Sequence, residues 1–157
     1  MSSIVFHTHL RGTSTLKPLE RFGNIRMNNS IVSVVIPAYN EEENIGNLLL
    51  RTNATLETIG VPYEIIVVDD GSVDETGLMA MKYKATVLSN GNNRGKGYAL
   101  KKGIRNANGS VLITMDADGS HQPEDIPKLL VPLLNGADIV LGSRFIGKQE
   151  QYPTKKL

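Results

Sequence analysis

What most constrains this chain is a repeated change of hydrophobic period. Residues 31–36 (Ile-Val-Ser-Val-Val-Ile) form a short run dominated by β-branched side chains and closed by Pro37. Branching at Cβ suits extended backbone, and a near-continuous apolar run marks a strand buried on both faces. The stretch 41–59 then carries Ile45, Leu48, Leu49, Thr52, Leu56 and Ile59 at helical spacing, with Gly60 as its stop. The same two signals recur downstream. They predict strands at 64–68, 86–88, 111–115 and 138–141, and helices at 74–83, 97–107 and 123–134. Strand and helix alternate throughout, which predicts an α/β fold: a mostly parallel sheet covered by helices on both faces in three layers.

In such sheets ligands bind beyond the carboxyl ends of the strands. The polar clusters of this chain fall there: residues 37–41, 69–74, 90–97, 116–121 and Ser143-Arg144.

At 157 residues the chain has room for one domain with a real core. A formal net charge of +1 gives no global attraction to nucleic acid. The absence of cysteine excludes disulfides, a thiolate metal site and a cysteine nucleophile. No apolar run approaches the roughly 18–20 residues that span a bilayer, and His7, His9, Arg11 and Lys17 interrupt any signal-peptide core. A soluble, cytoplasmic chain is the expectation. Residues 1–30 show no sustained period and read as a leader or weakly ordered arm. His7 and His9 alternate as strand neighbours do, but no carboxylate or third histidine stands near them to complete a metal site. Residues 31–147 form the predicted domain, and 148–157 a polar tail that reads as the start of a further segment.

Each cluster admits two readings when taken alone. Asp116-Ala117-Asp118 follows an apolar strand, where residues two apart point to one side. Two such carboxylates can converge on Mg2+ or Mn2+, ions commonly shared with substrate phosphates. Asp-x-Asp is also common in surface turns, and Asp118-Gly119 is a turn dipeptide. Asp69-Asp70-Gly71-Ser72 is either a strand-ending turn or the source of a carboxylate that accepts from a base or a ribose hydroxyl. Adjacent carboxylates repel unless donors, ligand or metal offset them. Residues 92–97 (Asn-Asn-Arg-Gly-Lys-Gly) lead into a helix and are either a flexible loop or a phosphate cradle. Asn40 is placed to cap the first long helix, with Glu43 completing a capping box. Tyr39 either stacks on a base or covers the sheet end. Arg144 is either a diphosphate clamp or a surface cation.

The order of the pieces decides more than any one of them. Pro37-Ala38-Tyr39-Asn40-Glu41 comes first, then Asp69-Asp70-Gly71-Ser72 with Asp74 and Thr76. Asn93-Arg94-Gly95-Lys96-Gly97 and Met115-Asp116-Ala117-Asp118-Gly119 follow, trailed by His121-Gln122-Pro123-Glu124 and Gly142-Ser143-Arg144-Phe145. This series resembles the family 2 glycosyltransferases, and within them the polyprenyl-phosphate sugar transferases related to dolichyl-phosphate mannose and glucose synthases. The resemblance runs from Ile31 to Gly147.

It implies the GT-A nucleotide-diphospho-sugar transferase fold. It places Pro37, Ala38, Tyr39, Glu41 and one of Asp69 or Asp70 at the nucleoside. Asp116 and Asp118, with Ala117 between them, would be the catalytic pair that holds the diphosphate through Mg2+ or Mn2+. Lys96 and Arg144 would contact phosphate. The implied reaction is inverting transfer from a UDP- or GDP-sugar to a lipid phosphate or saccharide, with membrane-surface association of the full-length protein. The subgroup often has Leu-Gln where this chain has Gly119-Ser120. Family members also continue past Leu157, and that part supplies the acceptor site.

Two other readings compete. Sugar nucleotidyltransferases share such a sheet but favour a Gly-rich, basic loop directly after the first strand, where this chain has Pro37-Ala38-Tyr39-Asn40-Glu41. A non-catalytic nucleotide-sugar-binding module is the other.

Overall fold

The computed structural model describes residues 4–7, 31–135 and 137–142. The expectations for His9, Arg144 and the tail 148–157 lie outside these residues, and so does the side chain of His7. The elements in chain order are β1 (Ile4–His7), β2 (Val32–Ala38), α1 (Glu42–Ile59), β3 (Tyr63–Asp69), α2 (Thr76–Lys82), β4 (Thr86–Ser89), α3 (Lys96–Asn106), β5 (Val111–Thr114), a 3-10 turn (Pro123–Asp125), α4 (Ile126–Leu134) and β6 (Ile139–Leu141).

One six-stranded sheet has the order β4-β3-β2-β5-β1-β6. β4, β3, β2 and β5 are mutually parallel, as the alternation predicts. The chain moves outward from β2 through β3 to β4, then crosses to the other side of β2 to lay down β5. The order therefore reverses between β2 and β5, and a crevice opens at their carboxyl ends.

The sequence reading needs a correction at the amino terminus. Within 1–30, read as a leader or weakly ordered arm, Ile4–His7 forms a strand between β5 and β6, antiparallel to both. Four residues are too few for a periodic signal. The strand's place is set by partners more than 100 residues away, with Ile4 opposite Thr114 and Leu141.

β2 is buried on both faces, which explains its lack of alternation. Val32, Val34, Ile36 and Ala38 meet Ile45, Leu48, Leu49 and Leu56 of α1, Ala80 of α2 and Ile126, Leu130 and Leu133 of the α4 region in the larger core. On the opposite face Ile66 and Val68 of β3 pack on Ala99 of α3. α3 lies very close: a Cβ added at Gly103 would stand 2.3 Å from Val35 Cγ1. Pro37 does not end β2, which continues to Ala38. The Val35 carbonyl accepts from Met115 on the β5 side. Pro37, two residues on, faces that same side beyond the end of β5, so its missing N–H breaks no ladder bond. No helix among the described residues is long and apolar enough to cross a membrane.

Candidate functional site

The loops at the carboxyl ends of β2 and β3 are stitched together. Asn40 N–H donates to Ser72 Oγ at 3.0 Å, and Val73 N–H returns to Asn40 Oδ1 at 3.0 Å. Glu41 N–H donates to Thr76 Oγ1, Glu42 N–H to Asp74 Oδ2, and Glu75 N–H to Glu42 Oε2. Asp74 also accepts from Thr76 N–H at 2.9 Å, so one carboxylate serves the starts of both α1 and α2. Burial alone would raise the Asp74 carboxyl, but the Thr76 hydroxyl and amide outweigh it and hold it below the usual range.

The capping expectation is corrected here. Asn40 is not the cap of α1. It sits at φ +53° and bridges to Val73, while Glu41 occupies the cap position with no side-chain cap bond. The amides of Glu41 and Glu42, at the start of α1, are satisfied from the neighbouring loop.

Asp69 and Asp70 face opposite ways, as successive residues at a strand end do. Asp69 Oδ1 accepts from Ser72 N–H at 2.9 Å, and its other oxygen lies beside Gly77 of α2. Asp70 is buried beneath the 90–95 loop. It accepts from Asn90 Nδ2 at 2.6 Å, Arg94 N–H at 3.1 Å and Gly95 N–H at 2.7 Å. Desolvation pushes this carboxyl up, the Asn90 amide and the two backbone donors pull it down, and the net position is below the usual range. Divergence and donors together remove the repulsion expected of the pair.

The Gly-rich loop behaves differently from a ready phosphate cradle. The Arg94 and Gly95 amides are already occupied by the protein's own anion, Asp70. The Arg94 guanidinium lies 3.8 Å from the Tyr98 ring centroid and donates to its hydroxyl at 2.7 Å. Lys96, the first residue of α3, is the cation that enters the crevice, where it forms an ion pair with Asp116.

Asp116, Ala117 and Asp118 lie beyond β5, which ends at Thr114, on a turn. Their side chains converge on one cavity through turn geometry and not through strand alternation. Asp116 N–H donates to Nδ1 of the buried His121 at 2.8 Å, and Asp118 Oδ1 accepts from Ser120 N–H at 2.9 Å. Burial works to raise the Asp118 carboxyl, and the Ser120 hydroxyl and amide, helped by nearby Lys96, bring it below the usual range. Gly119-Ser120 therefore shapes the turn: Ser120 serves Asp118.

The crevice is a cavity of about 280 Å3. Pro37, Ala38, Tyr39 and Glu41 line it from β2 and the loop after it, Asp70 from just past the end of β3, and Lys96 with Ala99 from α3. Asp116, Ala117 and Asp118 close it from the turn after β5. Nine of the expected site residues thus share one space; Asp69 is turned away from it, and Arg144 lies outside the described residues.

Sequence reasoning missed Arg51. From α1 it donates Nε to Glu124 Oε1 at 2.8 Å and Nη2 to Glu124 Oε2 at 2.6 Å, and it also reaches Gln122. This fork ties the segment after Asp118 to α1 across 73 residues. Arg51 falls on the polar face of a helical stripe, where sequence gives no sign of a distant partner.

Among the described residues no group of three or more His, Cys, Asp and Glu surrounds a metal position. Two carboxylates still fit Mg2+ or Mn2+, because such ions fill their remaining positions with substrate phosphate and water. The ammonium of Lys96 against Asp116 shows that this oxygen already accepts a cation.

A sheet whose parallel strands reverse their order at β2/β5, with paired carboxylates at that crevice, matches what the resemblance to GT-A nucleotide-diphospho-sugar transferases implies. Comparison with known proteins agrees. The profile of Glycosyl transferase family 2 matches residues 33–157, and the chain belongs to that family. It is 44% identical over 128 residues to a dolichol-phosphate mannosyltransferase of Pyrococcus furiosus, covering 78% of this chain and 36% of that protein. It is 40% identical over 116 residues to an undecaprenyl-phosphate 4-deoxy-4-formamido-L-arabinose transferase of Enterobacter sp., covering 69% and 35%. The fold matches mannosyl-3-phosphoglycerate synthase from Rubrobacter xylanophilus with TM-score 0.64 and 28% identity, over 75% of this chain and 40% of that one. It also matches Mycobacterium tuberculosis glucosyl-3-phosphoglycerate synthase, solved with Mn2+, UDP and glucosyl-3-phosphoglycerate, with TM-score 0.62 and 28% identity over 84% and 48%. The chain spans about a third of the length of these curated relatives.

Proposed function

We propose that this chain is the donor-binding part of an inverting glycosyltransferase that moves a sugar from a UDP- or GDP-sugar to a polyprenyl phosphate at the cytoplasmic face of a membrane. The observation that carries the reading is the convergence of Tyr39, Asp70, Lys96, Asp116 and Asp118 on one cavity at the sheet's switch point. Tyr39, 44% exposed at the cavity, offers an aromatic face to a base. Asp70 keeps the 90–95 loop against β3 and stands where it can accept from the nucleoside. Lys96 brings positive charge to the diphosphate end. Asp116 and Asp118 would hold Mg2+ or Mn2+, which as a Lewis acid stabilises the departing diphosphate.

The acceptor class rests on the relatives named for dolichol phosphate and undecaprenyl phosphate. A phosphate acceptor is already anionic near neutral pH, so its attack asks for no strong base from the protein. That suits a site whose carboxylates are given to a metal. The chain spans about a third of the length of those relatives, and in this reading the 157 residues bind donor and transfer sugar poorly. The test is incubation of the purified chain with labelled UDP- and GDP-sugars and dolichyl phosphate. Donor retention without product is expected, and robust turnover contradicts the division between donor and acceptor parts.

A nucleotidyltransferase fits less well. Pro37-Ala38-Tyr39-Asn40-Glu41 passes straight into α1 with no Gly-rich, basic loop between.

A further inference from the structure

Lys96 stands in a contested position. Its ammonium pairs with Asp116 Oδ1, on a side chain only 14% exposed, while the Lys96 side chain is itself 45% exposed. The same carboxylate is one that the donor-site reading gives to a divalent ion. A divalent ion and an ammonium cannot share one oxygen without like-charge repulsion at close range. The base of Lys96 is fixed, because Asp70 holds the two preceding amides and Lys96 opens α3. Its head stands on a flexible four-carbon stem at the cavity wall, so its partner can change without moving the backbone. Asp116 and Asp118 line that cavity together, so without metal their charges need a counter-ion.

We propose that Lys96 occupies two positions: counter-ion of Asp116 in the donor-free protein, and diphosphate ligand once metal and nucleotide arrive. The inference rests on the donor-site reading and deepens it. In the free protein Lys96 keeps the carboxylate pair assembled and opposes binding of a bare divalent ion. When the ion enters with a nucleoside diphosphate, the ammonium moves from carboxylate to phosphate. Metal and nucleotide then favour each other reciprocally, and Lys96 carries part of that coupling.

The test uses the 157-residue chain, with Mn2+ followed by electron paramagnetic resonance of the free ion and UDP, GDP, uridine and guanosine by calorimetry. Lys96→Met and Lys96→Gln should bind Mn2+ alone more tightly, on the order of fivefold, because the competing charge is gone. The same variants should bind UDP or GDP under saturating Mn2+ about tenfold more weakly, with uridine and guanosine unchanged. Lys96→Arg, which keeps the charge, should leave Mn2+ affinity low. Opposite signs for metal and diphosphate are what a merely structural lysine would not give. Unchanged or weaker Mn2+ binding in both neutral variants overturns the proposal while the donor site stands. If wild type and an Asp116→Asn, Asp118→Asn double variant are indistinguishable towards Mn2+, UDP and GDP, the donor-site reading fails and takes the proposal with it.

Discussion

The imidazole Nδ1 of His121 accepts the backbone N–H of Asp116 at 2.8 Å. His121 is buried, so this bond fixes the first carboxylate of the pair from behind, five residues along the chain. Replacing it with Phe leaves a part-buried amide without an acceptor, at a cost of about 1–3 kcal/mol. Asn can present its Oδ1 near the position of the imidazole Nδ1. His121→Asn should therefore retain most of the stability and Mn2+ binding that His121→Phe loses. Urea denaturation and metal titration of the two variants check this; equal losses would show that ring packing, not the acceptor, is what matters.

Asp70 and Asp74 make stability depend on pH in a defined direction. Both carboxyls are held below their ordinary range in the folded chain, by Asn90 and two backbone amides for Asp70 and by Thr76 and Glu42 for Asp74. A depressed folded value means the unfolded chain binds the proton more readily. Their contribution is therefore present above the unfolded value of about 3.9 and is lost as pH falls through the folded value. Asp70→Asn and Asp74→Asn should each lower stability at pH 7 by about 1–3 kcal/mol, because an amide cannot replace every acceptor. Each should also flatten the fall in stability between pH 5 and 2, roughly the window these values imply. Urea midpoints across that window measure both effects, and a variant as steep as wild type would contradict the assignment.

Two glycines separate backbone from side-chain crowding. A Cβ at Gly71 would lie 2.5 Å from Asn92 Cα, and the residue sits at φ +79°. At Gly103 the obstacles are side-chain methyls, Val35 Cγ1 at 2.3 Å and Val68 Cγ2 at 3.0 Å, both on buried β-branched residues, within a helix that favours Ala. Gly71→Ala should cost about 3 kcal/mol from left-handed strain and an immovable contact. Gly103→Ala should cost about 1 kcal/mol, overpacking offset in part by roughly 1 kcal/mol of helix propensity. Urea midpoints give the order, and a reversed order would show that the 71–92 contact yields easily.

The parallel part of the sheet was legible because buried strands and amphipathic helices carry strong periods. Val32–Ala38 and Glu42–Ile59 fell where the sequence put them, within a residue or two. The strand Ile4–His7 was not legible, since its pairing is wholly long-range. Local rules also misjudged Asn40, whose cap geometry is overridden by bonds to Ser72 and Val73. The site's residues were readable as types in a known order, but not their division of labour. Nothing in Asp69-Asp70 announces that one carboxylate faces α2 while the other anchors the loop before α3. Arg51 and Glu124, separated by 73 residues, left no sequence trace of their pairing.

Calorimetric titration of UDP and GDP into the chain, with Mn2+ and with chelator, tests the central claim most directly. The account predicts that one of the two nucleotides binds in the presence of Mn2+. Its affinity should fall at least tenfold, about 1.4 kcal/mol, when the metal is removed or Asp118 is replaced by Asn. Equal binding with and without Mn2+, unchanged in Asp118→Asn, would contradict the assignment of Asp116 and Asp118 as the metal-holding pair.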